Sequence, residues 1–245
     1  MKKKTTATSL KEVKQTKRKR DTLGGPFFWD IKPERTAIIV IDMQNCFVDP
    51  QGGLYSPAFK EQVPRINKIA RECRGHGILV IWVKFVTRPD CLDAGYLLAI
   101  TPESAFSSTM WHFEGTKGAE LYPELDIKKE EDLIVTKNRY SAFIAGSSSL
   151  DRILRFMDKD TIIIVGGATN VCCGTTAKDA MMLDYKVIFV SDANAPNAPM
   201  RLPSMEQYDP DKVYEIELVT LSSFFAMVCT ADELIAEIGK LPKKQ

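Results

Sequence analysis

Short runs of apolar, largely β-branched residues recur along the chain from Thr36 onward, separated by stretches whose apolar positions fall three and four apart. The runs AIIVID (37–42), ILVIWV (78–83), DLIVTK (132–137), TIIIVG (161–166), KVIFVS (186–191) and the weaker FAMV (225–228) predict six strands. They are continuously apolar rather than alternating, as expected of strands covered on both faces. Between them, VPRINKIAREC (63–73), SLDRILRFM (149–157) and CCGTTAKDAMML (172–183) have helical spacing. DKVYEIELVTLSSFF (211–225) reads as a helix, with strand left open by its β-branched content. A last helix is predicted from Thr230, where Thr230 and Glu233 stand at capping-box spacing. Strands alternating with helices give an α/β fold with a parallel sheet. The segment 87–125 lacks periodicity and contains Trp111, His112 and Gly115, and its length makes it a candidate substrate-covering loop.

Composition narrows the setting. A chain of 245 residues, 44% hydrophobic, can bury a large core. With 33 basic against 32 acidic side chains and a net charge of +1, no global field selects nucleic acid or an anionic membrane as partner. No apolar stretch approaches the roughly 20 residues a spanning helix needs. The N-terminus carries charge where a secretory signal has its apolar region, so a cytoplasmic protein is expected. Residues 1–22, with three consecutive lysines and KRKR at 17–20, are expected to form a flexible basic tail, leaving 23–245 as a single domain. A nucleic-acid or sorting role for that tail is the alternative to a merely solvated extension.

The six cysteines, at 46, 73, 91, 172, 173 and 229, lack paired CxxC spacing and read as free thiols. The two histidines, His76 and His112, lie in no HxxxH or DxH pattern. No metal site is expected from them, and a histidine-activated nucleophile is disfavoured. The first strand runs into DMQNCF rather than a glycine fingerprint, which sets aside a dinucleotide cofactor. No cofactor is expected.

Ligands of open parallel sheets bind outside the carboxyl ends of the strands. Asp42 ends the first strand and Lys137 the third, while the fourth runs into GGATNVCC and places Cys172 at the start of a helix. Either charged residue alone would read as a solvated strand end, and Cys172 alone as a small buried hydrophobe. Together they suggest chemistry. A helix N-terminus favours a thiolate, and its amides can donate to an oxyanion.

AIIVIDMQNCF, IVTKNRYSAF and GGATNVCCGTTAKDAMMLDYKVIFVSDA, in that order, resemble the signature segments of the isochorismatase-like cysteine hydrolases. The resemblance runs from Pro33 to Gly239. It implies a three-layer α/β/α fold around a six-stranded parallel sheet in the order 3-2-1-4-5-6. It also implies a triad of Asp42 as general base and acid, Lys137 as third member and Cys172 as nucleophile. Ala168 and Cys172 supply the oxyanion hole, and Gly167–Ala168 is the site of a cis peptide. Cys173 is left to packing, and Cys46 is the rival nucleophile. The wording is most similar to the ureidoacrylate and N-carbamoyl amidohydrolase branch, which implies a small amide, ureido or carbamoyl substrate and a homo-oligomer. Nicotinamide is disfavoured because VKFVTRPDC holds no histidine, and vinyl ether hydrolysis because Cys172 is present. A non-catalytic binding or regulatory member remains the alternative.

Gln44, Phe47, Tyr140 and Asn170 flank the triad in sequence and are the expected substrate-binding residues. Trp82, Phe85 and Trp111 follow, each equally readable as core. Phe143 is expected to pack beneath the end of the Lys137 strand. Arg88 and Arg139 are the nearest cationic anchors for a carboxylated substrate. The proline-rich stretch between Asn194 and Asp211 departs from the family wording, so no binding residue is carried over from it.

Overall fold

A computed structural model describes residues 29–100, 110–196, 200–201 and 207–244. The predicted tail, 1–22, and part of the 87–125 loop lie outside them. The chain divides between Asp30 and Ile31 into two units, and the second carries the fold described below.

The main sheet has six strands: β1 (Thr36–Ile41), β2 (Leu79–Phe85), β3 (Leu133–Lys137), β4 (Thr161–Gly167), β5 (Lys186–Ala195) and β6 (Met227–Cys229). All neighbours pair in parallel, in the spatial order β3-β2-β1-β4-β5-β6. The continuous apolar runs have the predicted cause, since every residue of β1 and β4 is buried. The edge strand β3 alternates buried and partly exposed positions instead.

Helix α1 (Pro57–Gly75) contacts β1, β2, β4 and β5 and packs beside α5 (Ala231–Ile238). On the opposite face Ala37, Ile39, Ile41, Ile162 and Ile164 form a core with Leu150 and Leu154 of α2 (Leu150–Phe156). Ala177 of α3 (Gly174–Met182) and Leu221 of α4 (Pro210–Phe224) join the same core. Each fully buried isoleucine contributes about 1.5–3 kcal/mol relative to exposure, so the two layers fix which face each strand residue takes.

Several boundaries differ from expectation for local reasons. Helix α1 begins six residues before 63, with Pro57 in its first turn and Pro64 inside it. A proline fits a first helical turn better than an interior, which is why Pro64 looks like a start in sequence. The ambiguous segment 211–225 is helical. Asp209 caps it by accepting from the Asp211 amide, and Pro210 fits its first position. The Thr230–Glu233 capping box is present at the start of α5.

Candidate active site

Three strand ends bring the expected triad together. Asp42 follows β1 with φ of 58°, a left-handed conformation that turns its side chain out of the strand direction. Such a conformation costs a non-glycine residue about 1–2 kcal/mol. The adjoining end of β4 crowds β1 so closely that a Cβ on Gly166 would lie 2.1 Å from the Ile41 carbonyl oxygen. Glycine alone fits there, and its φ of 125° uses the same freedom. The chain then passes through a cis peptide at Gly167–Ala168 into a π-helical turn, Thr169–Cys173, that presents Cys172 and leads into α3.

Lys137 reaches this point from two strands away, a span of about 10 Å at normal strand spacing. Its ammonium lies 4.3 Å from the centroid of the Phe85 ring, the residue beside it on β2. Its Nζ donates to Asp42 Oδ2 at 2.9 Å, to the Arg139 carbonyl at 3.2 Å and to Cys172 Sγ at 3.4 Å. Those contacts engage all three protons, and the side chain is fully withdrawn from solvent. Asp42 Oδ1, also buried, has no hydrogen-bond donor among the described residues, although the Cys172 thiol interacts with the carboxylate.

Burial raises the Asp42 pKa above the ordinary carboxylate value, with Lys137 opposing it. Burial works to lower that of Lys137, but Asp42 and Cys172 outweigh it and keep the ammonium charged. Burial, reinforced by the Asp42 charge, pushes the Cys172 thiol up despite Lys137. The upward shift favours the thiol form of Cys172, from which Asp42 is expected to take the proton.

Above Cys172 opens a cavity of about 690 Å³, to which Phe47, Phe85, Trp111, Tyr140 and Ala168 contribute walls. The 87–125 segment supplies Thr87, Ala94, Leu97 and His112 to the same lining. Gln44 is elsewhere. Its amide nitrogen donates to the carbonyls of Phe85 and Ala119, and its oxygen accepts from the Phe85 amide at 2.6 Å. Gln44 is thus a buried brace behind the wall. Asn170 also lies outside the lining, on the turn before Cys172. Trp82 is fully buried, donates to Asp132 Oδ2 at 2.8 Å and is not among the lining residues, as the core reading has it.

Arg88 pairs with Asp90, and Arg139 donates to the Asp93 and Asn138 carbonyls, so neither lines the cavity. Cys46 is buried against Trp111 and burial pushes its thiol up to about 12. Cys173 is fully buried in the core, and Phe143 joins the same core against Tyr185. Phe59 and His112 are among the lining residues that the sequence reading did not single out. Phe59 sits in the first turn of α1, where helical spacing alone marks it as core. His112 was visible only as part of an aperiodic loop. Its ring lies tilted against Trp111 at 4.2 Å and Phe85 at 4.4 Å, centroid to centroid, with Nδ1 3.3 Å from Thr87 Oγ1. Burial lowers its pKa to about 3, the Lys137 charge acting in the same direction.

The class defined by this arrangement is a doubly wound α/β protein with a buried carboxylate, ammonium and thiol at the carboxyl end of its sheet. A model of the isochorismatase domain matches residues 36–233, and the chain belongs to the isochorismatase family. It is 34% identical to a protein of Arabidopsis thaliana named probable inactive nicotinamidase, over 67% of this chain and 82% of that one. It is 28% identical to the ureidoacrylate amidohydrolase RutB of Caulobacter vibrioides, over 86% and 94%. The structure of a cysteine hydrolase from Pseudomonas syringae pv. phaseolicola superposes with a TM-score of 0.79 at 34% identity, covering 86% of this chain and 96% of that one. N-carbamoylsarcosine amidase from Thermoplasma acidophilum follows at 0.61 and 26% identity, covering 81% and 97%.

Proposed function

We propose that the protein is a cysteine amidohydrolase that cleaves a small amide, ureido or carbamoyl substrate through a thioester. The observation that carries this reading is the buried Asp42 carboxylate, with Oδ2 held by Lys137 and the Cys172 thiol interacting with it. One carboxylate oxygen is anchored and the other is available to take the thiol proton.

In this mechanism Asp42 accepts the Cys172 proton as Sγ forms its bond to the substrate carbonyl carbon. The oxyanion is held by the amides of Ala168 and Cys172. As the intermediate collapses, the C–N bond breaks and Asp42 gives its proton to the departing nitrogen. Water then attacks the thioester with its proton going to Asp42, the C–S bond breaks, and the proton returns to sulfur as the acid leaves. Lys137 stabilises the thiolate and the Asp42 carboxylate, and keeps the latter oriented. Phe47 and Tyr140 contact the substrate, while Gln44 and Asn170 act by holding the wall and the nucleophile turn.

Ammonia or amine release from a panel of small amides, ureas and carbamoyl compounds tests the reading. Turnover by the wild type that is absent in Cys172→Ala supports it; turnover that survives the substitution refutes it. A non-catalytic binding role is the second reading, favoured by the plant relative whose name calls it inactive. Selective alkylation of Cys172 by iodoacetamide, suppressed by Asp42→Asn, favours the enzyme over it. A homo-oligomer and a single domain over 23–245 complete the proposal. Sedimentation of the full chain and of a chain lacking 1–22 checks both.

A further inference from the structure

The cavity over Cys172 is unusual in what it omits. Phe47, Phe59, Phe85 and Trp111 give it aromatic walls, and Tyr140 and His112 add polar edges. Among the described residues no lysine or arginine side chain lines it. The described cations that stand near the site in sequence make other contacts. Lys137 spends its protons on Asp42, Cys172 and the Arg139 carbonyl. Arg139 Nη1 is held by two backbone carbonyls, both at 2.7 Å. Arg88 is paired to Asp90 on the exposed surface. His112 is buried between Trp111 and Phe85 and stays neutral down to about pH 3.

A carboxylate entering such a cavity would lose its hydration without gaining a counter-ion. It would also approach Asp42, whose own charge is already balanced by Lys137. An aromatic or branched apolar group loses nothing comparable. It gains stacking on walls whose rings are already close, as in the 5.6 Å separation of Phe47 and Phe59.

We infer that the acyl part of the substrate is uncharged and apolar, preferably aromatic, and that carboxylated ureido and carbamoyl acids are rejected because no lysine or arginine among the described residues lines the cavity. The inference rests on the amidohydrolase reading for the bond that is cut, but not for what binds. His112 then provides the neutral polar contact, a ring nitrogen that can meet a hydrogen-bonding substituent without attracting an anion.

The test uses two probes of the same shape, para-nitrobenzamide and para-carbamoylbenzoate, which differ in charge. Each is titrated calorimetrically into full-length Cys172→Ala at neutral pH, with Cys172→Ser as a second background. The neutral probe is expected to bind at least about tenfold more tightly. Leu54→Arg, which puts a cation at the half-exposed rim of the lining, is expected to close most of that gap. Equal affinities, a preference for the carboxylate, or no binding of the neutral probe at millimolar concentration overturns the inference. Hydrolysis by the wild type is followed in parallel. Tight binding of the neutral probe with no hydrolysis of any amide counts against the amidohydrolase reading alone; efficient hydrolysis of the carboxylated probe counts against the specificity inference alone.

Discussion

Lys137 and Asp42 stand 95 residues apart in sequence and 2.9 Å apart in space, their side chains almost entirely withdrawn from water. A buried ion pair of this kind is a poor source of stability, because taking two charges out of water costs as much as their attraction returns. Its value lies in orientation. Lys137 holds Asp42 Oδ2 and also donates to Cys172 Sγ, which fixes the three side chains relative to one another.

Removing half of this pair should be expensive. Lys137→Met leaves the Asp42 charge buried without its partner, and a loss of about 3–5 kcal/mol is expected in denaturant unfolding at neutral pH. Lys137→Arg is expected to lose activity too, since a planar guanidinium cannot place three donors around one point. Stability at the wild-type level in Lys137→Met would show that the pair is not buried as described.

Cys172→Ala should abolish turnover, a drop of roughly 10⁴-fold or more in kcat, with an unchanged circular dichroism spectrum. Cys173→Ala and Cys46→Ala should retain turnover at saturating substrate, because neither thiol faces the cavity. Loss of activity in Cys46→Ala, with Cys172→Ala still active, would transfer the nucleophile's role.

The acid limb of kcat/KM should reflect the triad titrating as a unit. Burial holds Asp42 above the ordinary carboxylate value of 3.8, so activity should fall at a higher pH than a solvated aspartate would dictate. Below that point the carboxyl keeps its proton and cannot accept one from Cys172. A pH–rate profile with its acid limb at or below 3.8 would contradict the burial of Asp42.

His112 links acid to stability. Its folded pKa is depressed from 6.5 to about 3, so between these values the unfolded chain binds more protons than the folded one. Its contribution is complete above 6.5 and is lost as pH falls toward 3, at up to about 1.4 kcal/mol per pH unit. His112→Phe should flatten this part of the unfolding profile, as measured by urea titration at a series of pH values.

Gln44→Leu should cost about 2–4 kcal/mol, since it strips the partner from the Phe85 amide and from two buried carbonyls. The loss should appear in urea unfolding. If stability is kept and only KM rises, Gln44 contacts substrate after all.

The hydrophobic rhythm of the chain determined the layers, the parallel sheet and the approximate place of every main-sheet strand, because strands buried on both faces must be apolar throughout. Asp42 and Lys137, which close two of those runs, and Cys172, on the turn after a third, were legible for the same reason: residues at or just past the end of a parallel strand fall at the carboxyl edge of the sheet. Tertiary structure decided the rest. Gln44 stands two residues from Asp42, yet its side chain turns away to brace the Phe85 backbone. Phe59 and His112 come from a helix start and an aperiodic loop, and only folding sets them beside Cys172. Sequence proximity orders residues along a strand, but a cavity is made by side chains from separate loops converging above the sheet. Which of them face inward depends on close packing and hydrogen bonds between segments distant in the chain, and one-dimensional spacing carries no record of those contacts.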